Sequence, residues 1–383
     1  MSRDLLLIVV ALFAWGIGEG AFFSFQPLYL EKLGADPLAI GTILGATGIA
    51  MTFVHIPAGY LADRLGRRPL MRLAWANGFL GALVMALAGS LPVFIMGMLL
   101  YRLTAFVIAP LNSYITAARG RWSTGRALTF TSAVYNAGSV LGPLLGGLIG
   151  DTLGLRHGYT LAAVMFALSN AVFYAVQAQP VEEGTEKSGS RHLFQNRAYV
   201  LFLGVLVFSM FAMYLPQVLA PNFLENQRGL SLSQIGLLFS ITSLGIVVLN
   251  LLLGQSAPLK GFLVGQAAVG AFTVLLWQGI GMPLYMLGFF LVGGHRSARS
   301  LAIAYTQELV SPEQMGLAYG FAETAGSLSI ILAPPLAGVL YNQDPILVFP
   351  VGLGLVLVSM LVSAGYARTR PVLQPVTVEK ELL

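Results

Sequence analysis

Glu19, Arg102, His295, Arg296, Arg299 and Glu323 fall inside long apolar runs, where a charge is expensive and usually has a function. Glu19 lies within Trp15-Gly16-Ile17-Gly18-Glu19-Gly20, and Arg102 falls near the middle of a run over 92–117. His295, Arg296 and Arg299 fall near the middle of a run over 283–308, and Glu323 lies about two turns inside 315–340. Arg296 and Arg299 are three apart and share a helix face, and His295 is four from Arg299. Glu19 and Glu323 are the acids placed to neutralise these arginines. Burial favours a protonated carboxyl and a neighbouring arginine favours the carboxylate. An acid that alternates between the two can couple solute movement to a proton gradient. The alternative for each is a static buried ion pair that sets helix packing. His295, beside two arginines, reads as a hydrogen-bonded spacer. The arginine pair suits an anionic or polyhydroxylated solute, whereas Glu19 favours a cation. Asn112, Asn136, Gln217, Asn222 and Asn250 add polar contacts, and Phe22, Phe23, Phe25, Tyr135, Phe211, Tyr214, Trp277 and Tyr305 are candidate walls.

The elements that position these residues are membrane helices. Of the 383 residues 56% are hydrophobic and 10% are charged, with a mean hydropathy of +0.78. A soluble domain carries about 25% charged residues. Runs of about 20 apolar residues are spanning helices, because lipid offers the backbone no hydrogen bonds. Twelve are predicted: 5–30, 38–62, 70–90, 92–117, 127–150, 158–178, 198–222, 232–254, 260–280, 283–308, 315–340 and 346–367. Residues 5–18 have the length of a signal-peptide core, but the run continues to Leu30 without a small-residue cleavage site, so a retained helix is expected. The polar stretch 179–197 reads as a cytoplasmic linker between helix sets in 1–178 and 198–383.

Charge sets an expected orientation. With both termini cytoplasmic, that side receives Arg3, Arg64, Arg67, Arg68, Arg72, Arg119, Arg121, Arg126, Lys187, Arg191, Arg197, Lys260, Arg368, Arg370 and Lys380. The other side receives Lys32, Arg156 and Arg228. The net charge of +5 is therefore spread over loops and forms no nucleic-acid face. The halves also repeat. Ile40-Gly41 to Gly59 aligns with Ile235-Gly236 to Gly254 at an offset of 195, and Tyr114 to Gly147 aligns with Tyr305 to Gly338 at 191. The second match pairs Pro143 with Pro334, and Leu30-Glu31 echoes Leu224-Glu225.

Gly59-Tyr60-Leu61-Ala62-Asp63-Arg64-Leu65-Gly66-Arg67-Arg68-Pro69 joins the second and third runs. It closely resembles the cytoplasmic signature loop of the major facilitator superfamily. The resemblance implies an all-α membrane fold of two six-helix bundles related by a pseudo-two-fold axis, with a substrate site between them near the midplane. It also implies that Gly59, Asp63, Arg64, Gly66, Arg67 and Arg68 form a gate that locks the cytoplasmic face in the outward-open state. The matching loop of the second half, Gly254 to Gly261, keeps the leading Gly254 and a single basic residue, Lys260. Gly138, Gly142, Pro143, Gly146 and Gly147 match the fifth-helix pattern G-x-x-x-G-P-x-x-G-G of that superfamily's drug/proton antiporters, which implies export. Arg102 resembles the arginine of a fourth-helix Arg-x-x-x-Gly motif, with Phe106 in place of the glycine.

The expected function is therefore secondary active transport: proton-coupled export of a small amphipathic molecule by alternating access. Proton-coupled uptake of a sugar, nucleoside or organic anion is the alternative, and a non-transporting receptor on the same fold is a third reading. No phosphate-binding loop supports ATP-driven transport. Four histidines and no cysteine argue against a metal site, so no enzyme activity and no cofactor are expected. A monomer in a prokaryotic inner membrane is expected, with protons as coupling ion and no nucleic-acid partner.

Overall fold

The computed structural model describes residues 2–65, 67–177, 190–311 and 314–368, with the side chains of 52–67 outside that description. Every predicted span falls on helix. The first half holds α1 (Arg3–Phe23), α2 (Gln26–Lys32), α3 (Pro37–Leu65), α4 (Arg67–Leu87), α5 (Leu91–Leu103), α6 (Ile108–Ala118), α7 (Thr124–Leu153) and α8 (Arg156–Tyr174). The second holds α9 (Arg197–Tyr214), α10 (Ala220–Asn226), α11 (Leu232–Leu253), α12 (Pro258–Gln278), α13 (Met282–Val292), α14 (Gly294–Thr306), α15 (Met315–Gln343) and α16 (Val348–Arg368). Among the described residues eight helices are long and apolar enough to cross a membrane, and the bent pair α5–α6 makes a ninth. Side chains of Ser2, Ser123, Asn196 and Ser231 cap the first turns of α1, α7, α9 and α11. Of the predicted linker, 178–189 lie outside the described residues. Ser190–Gln195 form a 3-10 turn that buries Leu193, and helix resumes at Arg197.

Four predicted spans are each two helices. The first breaks at Ser24–Phe25, just before Pro27. The fourth breaks at a 3-10 turn, Thr104–Val107, where the Thr104 hydroxyl donates back to the Tyr101 carbonyl at 2.7 Å. The seventh breaks at Leu215–Gln217, around Pro216, and the tenth at Gly293. These are corresponding members of the two halves. Glu19, Arg102, Gln217, His295 and Arg296 all lie within about two turns of a break.

Two seams join the halves, and they repeat each other. Gly41 of α3 lies under the Pro334 carbonyl of α15, and Gly236 of α11 lies under the Pro143 carbonyl of α7. A Cβ on either glycine would strike that carbonyl, so the helices touch backbone to backbone. The aligned glycines of the sequence repeat meet in space, Gly41 with Gly338 and Gly236 with Gly147. Proline at 143 removes the N–H that would bond the Ser139 carbonyl. The Ser243 hydroxyl of α11 faces that carbonyl at 3.4 Å, and Ser240 donates to the Val140 carbonyl at 2.7 Å.

Each half is also fastened internally by a buried polar knot. In the first, the Trp75 indole donates to Ser169 at 2.9 Å, and Ser169 donates to the Ala11 carbonyl at 2.7 Å. In the second, Gln266 donates to Ser363 at 3.0 Å and accepts from Ser359 at 2.8 Å, and Ser209 and Ser363 lie 3.3 Å apart. Trp75 and Gln266 are 191 positions apart, the offset of the repeat. A hydrogen bond between membrane helices contributes about 0.6–2 kcal/mol. Gln266→Leu should therefore lower the melting midpoint of the detergent-purified protein by a few degrees. An unchanged midpoint would mean that the knot holds nothing.

Candidate functional site

The central site begins with a close approach. Gly138, Gly142 and Gly146 lie four apart along α7 and face the carbonyls of Phe13, Ile17 and Ala21, four apart along α1. Gly16 and Gly20 of α1 face back at Tyr135, Gly142 and Pro143. Any Cβ on these positions would collide with backbone or proline ring. The glycines bring α1 against α7, and the Tyr135 hydroxyl then donates to Glu19 Oε2 at 2.6 Å.

Three charges share their surroundings with three tyrosines. Arg102, next to the break in the fourth span, lays its guanidinium over the Phe23 ring, 4.6 Å from the centroid. Its Nε is buried without a hydrogen-bond partner. Arg296, on α14, is exposed and lies within electrostatic reach of Tyr135 in the first half. Tyr101 lies within electrostatic reach of Glu19 and Arg102, Tyr135 of Glu19 and Arg296, and Tyr214 of Arg102 and Arg296. Each tyrosine thus neighbours two of the three charges. Neither Arg102 nor Arg296 forms an ion pair among the described residues.

Arg299, which the sequence groups with Arg296, does have a counter-ion. Its Nη2 and Nε contact Glu323 Oε2 at 2.5 and 3.1 Å, and Nη2 reaches Ser327 at 3.2 Å. The two side chains are 30% and 51% exposed, so water screens the pair and it can open at modest cost. His295 is a spacer. Its Nδ1 lies 3.2 Å from the Gln217 amide nitrogen, which also donates to the Met213 carbonyl at 2.6 Å. Asn136 bonds Ser132 one turn back at 3.4 Å and is not drawn to the charges. Phe211 lines a separate apolar groove of about 410 Å³ with Gly204, Val207, Phe208 and Leu332.

The basic end carries the loop motif. Gly66 lies outside the described residues, and Gly59, Asp63, Arg64 and Arg67 are described as helix backbone alone. Arg68 is within electrostatic reach of Tyr114, whose hydroxyl contacts Asp4 of α1 at 3.2 Å and donates to the Gln177 carbonyl at 2.6 Å. Arg72 donates to the Tyr174 carbonyl at 2.8 Å and covers its ring. Arg72 therefore braces its own half.

The opposite end is latched across the halves by acids the sequence reading did not assign, and Asn222, expected among the polar contacts of the site, belongs to this latch instead. Glu31 accepts from Asn226 at 2.8 Å and from Asn222, and Lys32 lies 3.7 Å from Glu225. Asp151, at the end of α7, accepts the backbone N–H groups of Leu232 and Ser233 at 2.9 and 2.8 Å. These are free donors in the first turn of α11, where a carboxylate is favoured. The echo of Leu30-Glu31 in Leu224-Glu225 is the one sequence signal for this latch. Each half offers its acid to donors of the other.

Comparisons with known proteins agree on one family. The Major Facilitator Superfamily profile matches residues 5–257 and 202–382. Multidrug resistance protein 2 of Bacillus subtilis is 22% identical over 380 residues, covering 92% of this chain and 94% of that protein. Enterobactin exporter EntS of Citrobacter koseri is 27% identical over 372 residues, covering 91% and 88%. Among solved structures, a mutant form of nucleoside transporter NupG superposes with a TM-score of 0.84 at 14% identity, covering 96% of this chain and 100% of that one. Peptide transporter POT in complex with sulfate gives 0.79 at 17% identity, covering 96% and 95%.

The latch generates a labelling prediction. The chain has no cysteine, so a single one can be placed cleanly at Ser240 in the α7–α11 seam. Adding Asp151→Ala should raise maleimide reactivity at that position several-fold. A control cysteine at exposed Gln255, beyond the far end of α11, should not change. Equal reactivity with and without Asp151 would show that this carboxylate does not hold the seam shut.

Proposed function

The chain belongs to the major facilitator superfamily, and from that premise we propose that it exports a small amphipathic molecule in exchange for protons by alternating access. It is an integral membrane transporter with the fold of that superfamily. Relatives named as an enterobactin exporter and a multidrug resistance protein support outward transport, as does the complete fifth-helix glycine pattern.

The observation that carries the reading is the central charge cluster. Glu19 and Arg102 come from the first half and Arg296 from the second, so a solute bound among them touches both moving bodies. With the basic end cytoplasmic, the latched end is external, the closure that an inward-facing state requires. Glu31, Glu225 and Asp151 then form the outer gate. The signature-loop residues Gly59, Asp63, Arg64, Gly66, Arg67 and Arg68 would close the inner end in the opposite state. Glu19 is held by a tyrosine hydroxyl rather than by an arginine, so it can give its place to a proton or to a cationic group. Glu323 shares Arg299 and is half exposed, which makes it the second candidate for coupling. The site is complete within one chain, so a monomer suffices.

Proteoliposomes containing a pH-sensitive dye test the coupling. With an inward proton gradient, solute should leave as protons enter. Glu19→Gln, Glu323→Gln or both should lose pH-driven flux by at least tenfold, and full flux in both variants would overturn the coupling role of these acids. Protons and solute moving together would favour uptake instead. Asp63→Asn should slow transport while leaving the protein in the membrane, and wild-type flux there would remove its gating role.

A further inference from the structure

We infer that the transported molecule is a zwitterionic amphipath, with its acidic group held between Arg102 and Arg296 and its cationic group at Glu19. The inference rests on the export reading and names the substrate class of the same site.

The argument is one of unpaired charge. Counting in sequence sets Arg296 beside Arg299 as a double cation. The structure divides them, because Arg299 is neutralised by Glu323 at 2.5 Å. Arg296 keeps its charge, and the second free guanidinium is Arg102, in the other half. The Arg102 Nε is buried without a hydrogen-bond partner, so part of that guanidinium has left water with no counter-ion to offset the cost, whereas Arg296 stays exposed. Yet the nearest carboxylate in the cluster, Glu19, is bonded to Tyr135 at 2.6 Å and to neither arginine. Tyr101, Tyr135 and Tyr214 each lie within electrostatic reach of two of the three charges, and Tyr135 holds Glu19 by a hydrogen bond. A site that holds both signs apart is matched by a ligand that carries both signs apart.

Each part of such a ligand has a place. A carboxylate suits two guanidinium forks, since the planar donors bond it in pairs. An ammonium suits Glu19, where it competes with the exchanged proton for one carboxylate, as antiport requires. The apolar body would lie on Phe23 and the tyrosine rings. A simple anion would fill the arginines but would bind better once Glu19 is protonated, which links it to proton co-transport. A simple cation would compete with the proton but would face two uncompensated arginines.

Three probes on one scaffold separate these cases: 4-phenylphenylalanine as zwitterion, its methyl ester as cation, and its N-acetyl derivative as anion. Binding to the full-length purified protein is read as the rise in melting midpoint with probe concentration. The zwitterion should bind most tightly. Arg102→Gln and Arg296→Gln should each weaken it about 10- to 100-fold, toward the ester's affinity. Arg102→Lys, which keeps the charge, should restore part of the loss and guards against misfolding of the Gln variant. Glu19→Gln should bring the zwitterion to the N-acetyl form. The inference is overturned if the ester or the N-acetyl form matches the zwitterion on the wild-type protein, if none of the three binds, or if the zwitterion binds both arginine variants unchanged. Because binding is read without flux, failure of export leaves this result standing, and failure here leaves export standing.

Discussion

Close contact between α1 and α7 is the constraint on which the site depends. Lipid provides no hydrophobic force between helices, so association rests on packing and on polar contacts. The Gly138, Gly142 and Gly146 strip on α7, answered by Gly16 and Gly20 on α1, allows backbone to meet backbone. That approach carries Glu19 to Tyr135 and fixes the depth at which the first half presents its acid. The next glycine along, Gly147, turns to the second half and meets Leu232. One helix therefore both borders the site and packs against the second half, and its glycines cannot be exchanged without disturbing both contacts.

Around that helix the halves are assembled by duplicated parts. Two seams built on a glycine under a proline carbonyl let the halves touch through backbone and a few serine hydroxyls, contacts weak enough to slide. Polar knots at Trp75–Ser169 and Gln266–Ser363 keep each half stiff. Rigid halves and yielding seams are the mechanical requirement of alternating access. The four broken spans place polar side chains where the backbone itself is irregular. Such irregularity is tolerated at membrane depth where it faces protein or water rather than lipid.

Much of this was legible in the sequence because the decisive residues have no substitutes. Glycine and proline at contact points survive duplication, so the offset of 191 that pairs Pro143 with Pro334 anticipates the two seams. Hydropathy reads the helices but not their breaks. Pro27, Pro216 and Gly293 cost little in an apolar average, and Thr104 breaks its helix by a local hydrogen bond. Counter-ions were less legible. Spacing places Arg296 and Arg299 on one face but cannot say that Glu323 stands opposite one of them. Nor could it find the latch, since Glu31 and Asp151 look like ordinary loop acids until their partners 191 and 81 positions away are brought alongside.

The central claim is that two rigid halves rock about these seams around a shared site. Electron-electron distance measurements between paired spin labels test it most directly. One pair, at Arg121 and Lys260, spans the basic end, and another, at Asp36 and Gly229, spans the latched end. The account predicts that imposing a proton gradient on proteoliposomes lengthens the second distance as the first shortens. Both distances unchanged, or both moving in the same sense, would contradict it.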